Sequence, residues 1–89
     1  NTILYWRDKS GREVDFVIRR ERGRVDAIEC KINPDGFDPA NLRVFRSFYP
    51  DGNNFVISPH TQTAFRRRFG DLMVEFIPVQ HILDSKVGS

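Results

Sequence analysis

The sequence predicts an α/β domain on a mixed sheet: a three-strand antiparallel meander, a crossover helix and further strands. Three observations predict it. Residues 3–32 are rich in β-branched and aromatic side chains that recur with period two. Two short loops that end in glycine, Lys9-Ser10-Gly11 and Glu21-Arg22-Gly23, divide this run into three strands. Asp38-Pro39 then opens a stretch with helical apolar spacing, and Phe55-Val56-Ile57 follows as a buried-strand pattern.

The first strand is Ile3-Leu4-Tyr5-Trp6-Arg7, the second runs from Glu13 to Arg19 and the third from Arg24 to Ile32. Each three-residue loop needs positive φ at its last position, where glycine stands. The first loop therefore pairs Asp8 with Arg12, sets Trp6 against Val14 and sets Leu4 against Phe16. The second pairs Arg20 with Arg24, which places Asp15 opposite Glu29 and Glu13 opposite Lys31. Asp38 is the expected N-cap and Pro39 the first helical residue. Leu42, Phe45, Phe48 and Tyr49 mark the apolar face, and Pro50-Asp51-Gly52 ends the helix. Asn54 to Ser58 reads as a strand parallel to the third, reached by a right-handed crossover. Residues 61–70, with Arg66-Arg67-Arg68, read as a loop. Leu72 to Ile77 is a last strand closed by Pro78, Val79 to Asp84 a short helix, and Ser85 to Ser89 a frayed end.

Composition narrows the function. The 89 residues form one domain, and because the chain begins without Met inside a strand pattern it reads as a fragment. A single cysteine excludes a disulfide framework and a Cys-rich zinc site and suits a reducing cytoplasm. No apolar run approaches the ~18 residues of a membrane span. Neither G-x-x-x-x-G-K-[ST] nor G-x-G-x-x-G is present. Net charge is only +2, but 11 of the 14 basic residues are arginine, which favours bidentate contact with phosphate or carboxylate. Arg66, Arg67 and Arg68 are the candidate DNA-backbone contacts, against the alternative of a solvated basic run. His60 and His81 lack metal-ligand spacing, and Cys30, alternating away from Glu29 and Lys31, is expected on the apolar side.

The chemistry concentrates at Asp15 and Glu29-Cys30-Lys31. In a regular ladder the Cα atoms of Asp15 and Glu29 lie roughly 4.5–5.5 Å apart, with Lys31 on the same face. Two carboxylates so placed repel unless a cation lies between them. Mg²⁺, which takes one or two carboxylates at about 2 Å and keeps several waters, meets that need. Lys31 beside it can stabilise negative charge or orient a water, and Glu13 is the nearest auxiliary acid. The alternative is a salt-bridge cluster in which Lys31 neutralises both acids.

Glu13-Val14-Asp15-Phe16-Val17-Ile18, a glycine turn, then Ala27-Ile28-Glu29-Cys30-Lys31 resembles the PD-(D/E)XK nuclease superfamily. Val14 stands where that family often has proline. The resemblance implies a restriction-endonuclease-like core, with Asp15 and Glu29 as ligands for Mg²⁺ or Mn²⁺ and Lys31 as catalytic lysine. It further implies a first helix missing upstream of Asn1, whose absence leaves an apolar surface uncovered. More narrowly, Tyr5 to Val17 is similar to the C-terminal domain of many bacterial and archaeal AAA+-type ATPases. The implied function is Mg²⁺-dependent DNA phosphodiester hydrolysis or a degenerate descendant of it. The alternative is a non-catalytic accessory domain that binds DNA or a protein. The implied partners are DNA and an N-terminal ATPase module; a homodimer of the chain is a third.

Overall fold

The computed structural model describes residues 3–81. Its elements are β1 (Ile3–Arg7), β2 (Glu13–Arg19), β3 (Val25–Cys30), α1 (Ala40–Phe48), β4 (Asn54–Ser58), β5 (Phe65–Phe69) and β6 (Leu72–Pro78), with single 3₁₀ turns at Glu21–Gly23 and Pro34–Gly36. The six strands form one sheet in the order β1-β2-β3-β4-β6-β5. β3, β4 and β6 are mutually parallel, whereas β1–β2, β2–β3 and β5–β6 are antiparallel. The α/β class, the meander, the crossover helix and the mixed sheet are as the sequence predicts. No helix among the described residues is long and apolar enough to cross a membrane.

The first turn closes as expected. The Asp8 N–H donates to the Arg12 carbonyl at 2.8 Å, and the Asp8 carboxylate accepts from the N–H groups of Ser10 and Arg12 at 3.0 and 2.9 Å. Trp6 stands opposite Val14, as predicted, but Leu4 stands opposite Val17, not Phe16. Between those pairs β1 advances two residues and β2 three, so Asp15 and Phe16 together oppose Tyr5 in a β-bulge. The bulge explains why Val14 and Val17, three apart, are both buried. On its β1 side Glu13 pairs with Arg7; on its β3 side the ladder ends at Phe16 opposite Ile28, short of the expected Glu13–Lys31 pair.

α1 starts at Ala40, one residue after Pro39, and Asp38 still caps it by accepting the Ala40 N–H at 2.9 Å. Leu42 and Phe45 are buried, but Phe48 and Tyr49 are exposed, contrary to the expected apolar face. Phe48, in the last turn, keeps a tilted ring contact with Trp6, with centroids 6.1 Å apart. Arg46 is buried in their place. Its guanidinium donates to Asn54 Oδ1 (2.8 Å) and to the carbonyls of Tyr49, Asp51 and Asn53 (3.0, 3.1 and 2.8 Å). These bonds tie the helix exit to the start of β4. Gly52 completes the turn at φ 141°, where a Cβ would lie 1.8 Å from the Val25 carbonyl oxygen.

Residues 61–70 are not all loop: β5 occupies Phe65–Phe69 and pairs with β6 across Gly70 and Asp71. The three consecutive arginines hide its alternation in the sequence. Phe65 stacks on Phe76 (centroids 4.7 Å apart) and Phe69 meets Phe37 edge-on (5.3 Å). The core lies between α1 and one sheet face, around Val14, Val17, Ala27, Leu42, Phe45 and Val56. Among the described residues no helix crosses the opposite face. Residues 79–81 open a helical turn; the rest of the expected helix to Asp84, and the end from Ser85 to Ser89, lie outside the described residues.

Candidate functional site

Asp15 and Glu29 meet where the β2–β3 ladder stops. The ladder runs from Arg19 opposite Val25 to Phe16 opposite Ile28, in the register that the second turn predicts. Antiparallel alternation reserves the Cys30 N–H for the carbonyl of Val14. At the bulge, Asp15 Oδ2 accepts that N–H instead, at 2.8 Å. The aspartate is thereby fixed at the strand end, and its Oδ1 makes no hydrogen bond among the described residues. Asp15 thus reaches the Glu29 side of the hairpin through a bulge and a backbone bond, rather than as a rung of a regular ladder.

Glu29 shares the alternation of Val25 and Ala27, and so points to the side covered by α1. It is only 6% exposed. Its Oε2 lies 4.0 Å from Lys31 Nζ, and its Oε1 is buried without a hydrogen-bond partner. Burial pushes the carboxyl up to about 7; the Asp15 charge adds to the rise, while the Lys31 ammonium and the Asp15 N–H oppose it. Lys31 is half-exposed, and its N–H bonds the Ile57 carbonyl at 2.9 Å, anchoring it past the end of β3. Glu13 is engaged elsewhere. Its carboxylate accepts from the Tyr5 hydroxyl and from Arg7 Nη2 (3.0 Å), and these two hold it below the usual range. Glu13 still reaches Glu29 weakly, as one of the charges that raise it.

The remaining candidates fall apart from this group. The arginine run alternates across β5. Arg66 pairs with Glu75 at 3.4 Å, and Arg67 lies over the rings of Phe65 and Phe76 (5.7 and 5.9 Å). Cys30 is exposed, not in the core, because the covered face is the one that Glu29 takes. His60 and His81 are exposed and stand apart from the two acids. Sequence reasoning missed the bulge, whose trace is the pair Val14 and Val17 at a spacing that period two cannot bury. It also missed the Cys30 N–H as the group that orients Asp15.

A buried carboxylate oxygen without a donor, beside a second carboxylate with a free oxygen, suits a hard divalent cation that keeps waters in its other positions. Among the described residues no group of three His, Cys, Asp or Glu side chains converges.

The family model described as "Domain of unknown function (DUF4143)" matches residues 1–82. Searches of the curated proteins and of the solved structures find no match.

Proposed function

The chain belongs to the family Domain of unknown function (DUF4143), and from the chemistry of this site we propose divalent-metal-dependent hydrolysis of DNA phosphodiester bonds, or a site descended from one. The observation that carries the reading is the buried, unpartnered Oε1 of Glu29 beside Asp15. A desolvated carboxylate oxygen left without a donor is costly, and a structure retains one where it serves a ligand. Asp15 and Glu29 would hold Mg²⁺ or Mn²⁺. When bound, the ion supplies Lewis-acid polarisation of a phosphoryl oxygen and a more acidic water.

The protein's own groups have separate tasks. The Cys30 N–H orients Asp15. Glu29, buried beside Asp15, is a carboxylate that a bound cation would hold ionised, so its task is to hold the ion. Lys31, charged and half-exposed, stabilises negative charge that grows on the phosphate as water adds and the P–O ester bond breaks. The meander, crossover helix and parallel β4 suit a restriction-endonuclease-like core, and the AAA+ ATPase link belongs to the same proposal. A second reading, a non-catalytic DNA- or partner-binding accessory domain, is favoured by the lack of a third converging ligand side chain among the described residues.

The test combines metal binding and cleavage. Mn²⁺ titration followed by electron paramagnetic resonance should show one bound ion per chain, weakened in Glu29→Gln and Asp15→Asn. Plasmid DNA should be nicked with Mg²⁺ or Mn²⁺, and Lys31→Ala should cut that rate by roughly 10²–10³-fold with unchanged melting. Mn²⁺ binding without cleavage moves the assignment to the accessory domain. Neither binding nor cleavage removes the metal site altogether.

A further inference from the structure

We propose that Ser58, on the reading that this site hydrolyses phosphodiesters, is the positioning residue of Lys31: its hydroxyl fixes the backbone that follows Lys31 and so holds the ammonium beside Glu29. Lys31 lies one residue past the end of β3. β3 and β4 run parallel with Cys30 opposite Ile57, so Lys31 comes opposite Ser58. That rung is half made. The Lys31 N–H donates to the Ile57 carbonyl at 2.9 Å. A parallel ladder would then give the Lys31 carbonyl the N–H of residue 59, but that residue is proline, which has none. Ser58 supplies a tie one residue further on. Its Oγ donates to the Ile32 carbonyl at 2.7 Å and accepts the His60 N–H at 3.1 Å.

Ser58 is fully buried, and it follows Asn54 and Val56 in the alternation that β4 turns toward the covered side. Glu29 stands opposite Val56, so Ser58 is one step further along the same face, beside Lys31. An apolar side chain would suit that position for packing, but would leave the Ile32 carbonyl and the His60 N–H without this partner. The segment held by Ser58 has little else to hold it. Ile32 is 77% exposed, and the chain bends there toward the 3₁₀ turn at Pro34–Gly36. Lys31 Nζ lies 4.0 Å from Glu29 Oε2, the long end of an ion pair, and makes no hydrogen bond among the described residues. The position of the ammonium therefore depends on its backbone, which β4 ties before Lys31 through Ile57 and after it through Ser58.

Ser58→Ala, Lys31→Ala and the double variant test this on the 89-residue chain. Ser58→Ala should slow Mg²⁺-dependent plasmid nicking by about tenfold or more while Mn²⁺ affinity, read by electron paramagnetic resonance, stays at the wild-type value. In the Lys31→Ala background the same substitution should cost less than about twofold, because the group it positions is gone. A role in packing alone would lower both backgrounds equally. Amide hydrogen exchange gives a reading that needs no activity. In Ser58→Ala the Lys31 N–H should exchange about tenfold faster or more, while the Ala27 N–H, bonded to the Asn53 carbonyl at the start of β4, keeps its rate. In the wild type itself the His60 N–H, on an exposed residue, should already be protected by about tenfold or more. Equal losses in both backgrounds, wild-type nicking by Ser58→Ala, exchange at Lys31 and Ala27 that rises together, or an unprotected His60 N–H overturns the positioning role and leaves hydrolysis standing. A wild type that binds Mn²⁺ and nicks nothing removes the reaction, and the positioning role with it.

Discussion

Glu29 holds its carboxyl group in a poorly solvated setting, with one oxygen buried and bare and the other 4.0 Å from Lys31. Its environment makes a pH prediction. With the native carboxyl at about 7 and the ordinary value at 4.5, the folded state holds a proton that the unfolded state has released. The stability that this proton contributes is complete below about 4.5 and is lost as pH rises through about 7. The whole interval is worth on the order of 3 kcal/mol. Glu29→Gln removes it, so the variant should gain on the wild type as pH rises across that window. Urea unfolding at several pH values, followed by Trp6 fluorescence beside Phe45 (ring centroids 5.2 Å), measures the difference. Parallel stability curves for the two proteins would mean that Glu29 is not desolvated. Asp8 and Glu13, both held below their usual values, titrate at lower pH and cancel in the comparison.

Secondary-structure elements meet their neighbours through a few specific devices, and two of them decide the site. The bulge in β2 frees Asp15 from the ladder, and the Cys30 N–H then holds it. The Gly52 turn sets β4 beside β3: the Val25 and Ala27 N–H groups donate to the carbonyls of Asp51 and Asn53 at 2.8 and 2.9 Å. Gly52→Ala should cost about 3 kcal/mol or more, because the left-handed backbone is strained with a Cβ and that Cβ strikes the Val25 carbonyl. A lowered urea midpoint measures this, and an unchanged midpoint would show that the turn relaxes freely. The Pro50-Asp51-Gly52 stop was legible in the sequence. The reason for glycine there, a backbone oxygen from a strand 27 residues earlier, was not.

At the scale of the whole molecule, strand order sets the distribution of stability. β3 and β4 lie inside the sheet with partners on both sides, whereas β1 and β5 are its edges. Amide hydrogen exchange should therefore be slowest in β3 and β4, including the N–H of Val56, and fastest in β5, whose residues are mostly exposed. Equal protection of β5 and β4 would contradict a single sheet in this order. The site sits at the C-terminal end of β3, one of the best-held strands.

Sequence by itself determined the α/β class, the three meander strands, both glycine turns, the cap at Asp38 and the parallel β4. Each of these is local: period two, a loop length that needs positive φ, a carboxylate that accepts a helix N–H. Local pattern also brought Asp15, Glu29 and Lys31 into view, because hairpin register follows from the turn. Tertiary structure decided the rest. Whether Phe48 or Arg46 is buried depends on which carbonyls the chain returns to the helix. That Glu29 rather than Cys30 takes the covered side depends on where α1 lies, and alternation specifies two faces without saying which is covered. The strand in Phe65–Phe69 needed β6 as a partner before its arginines could be sorted to opposite sides. The bulge at Asp15 is a compromise between β1 and β3, and no single strand's sequence contains both of its neighbours.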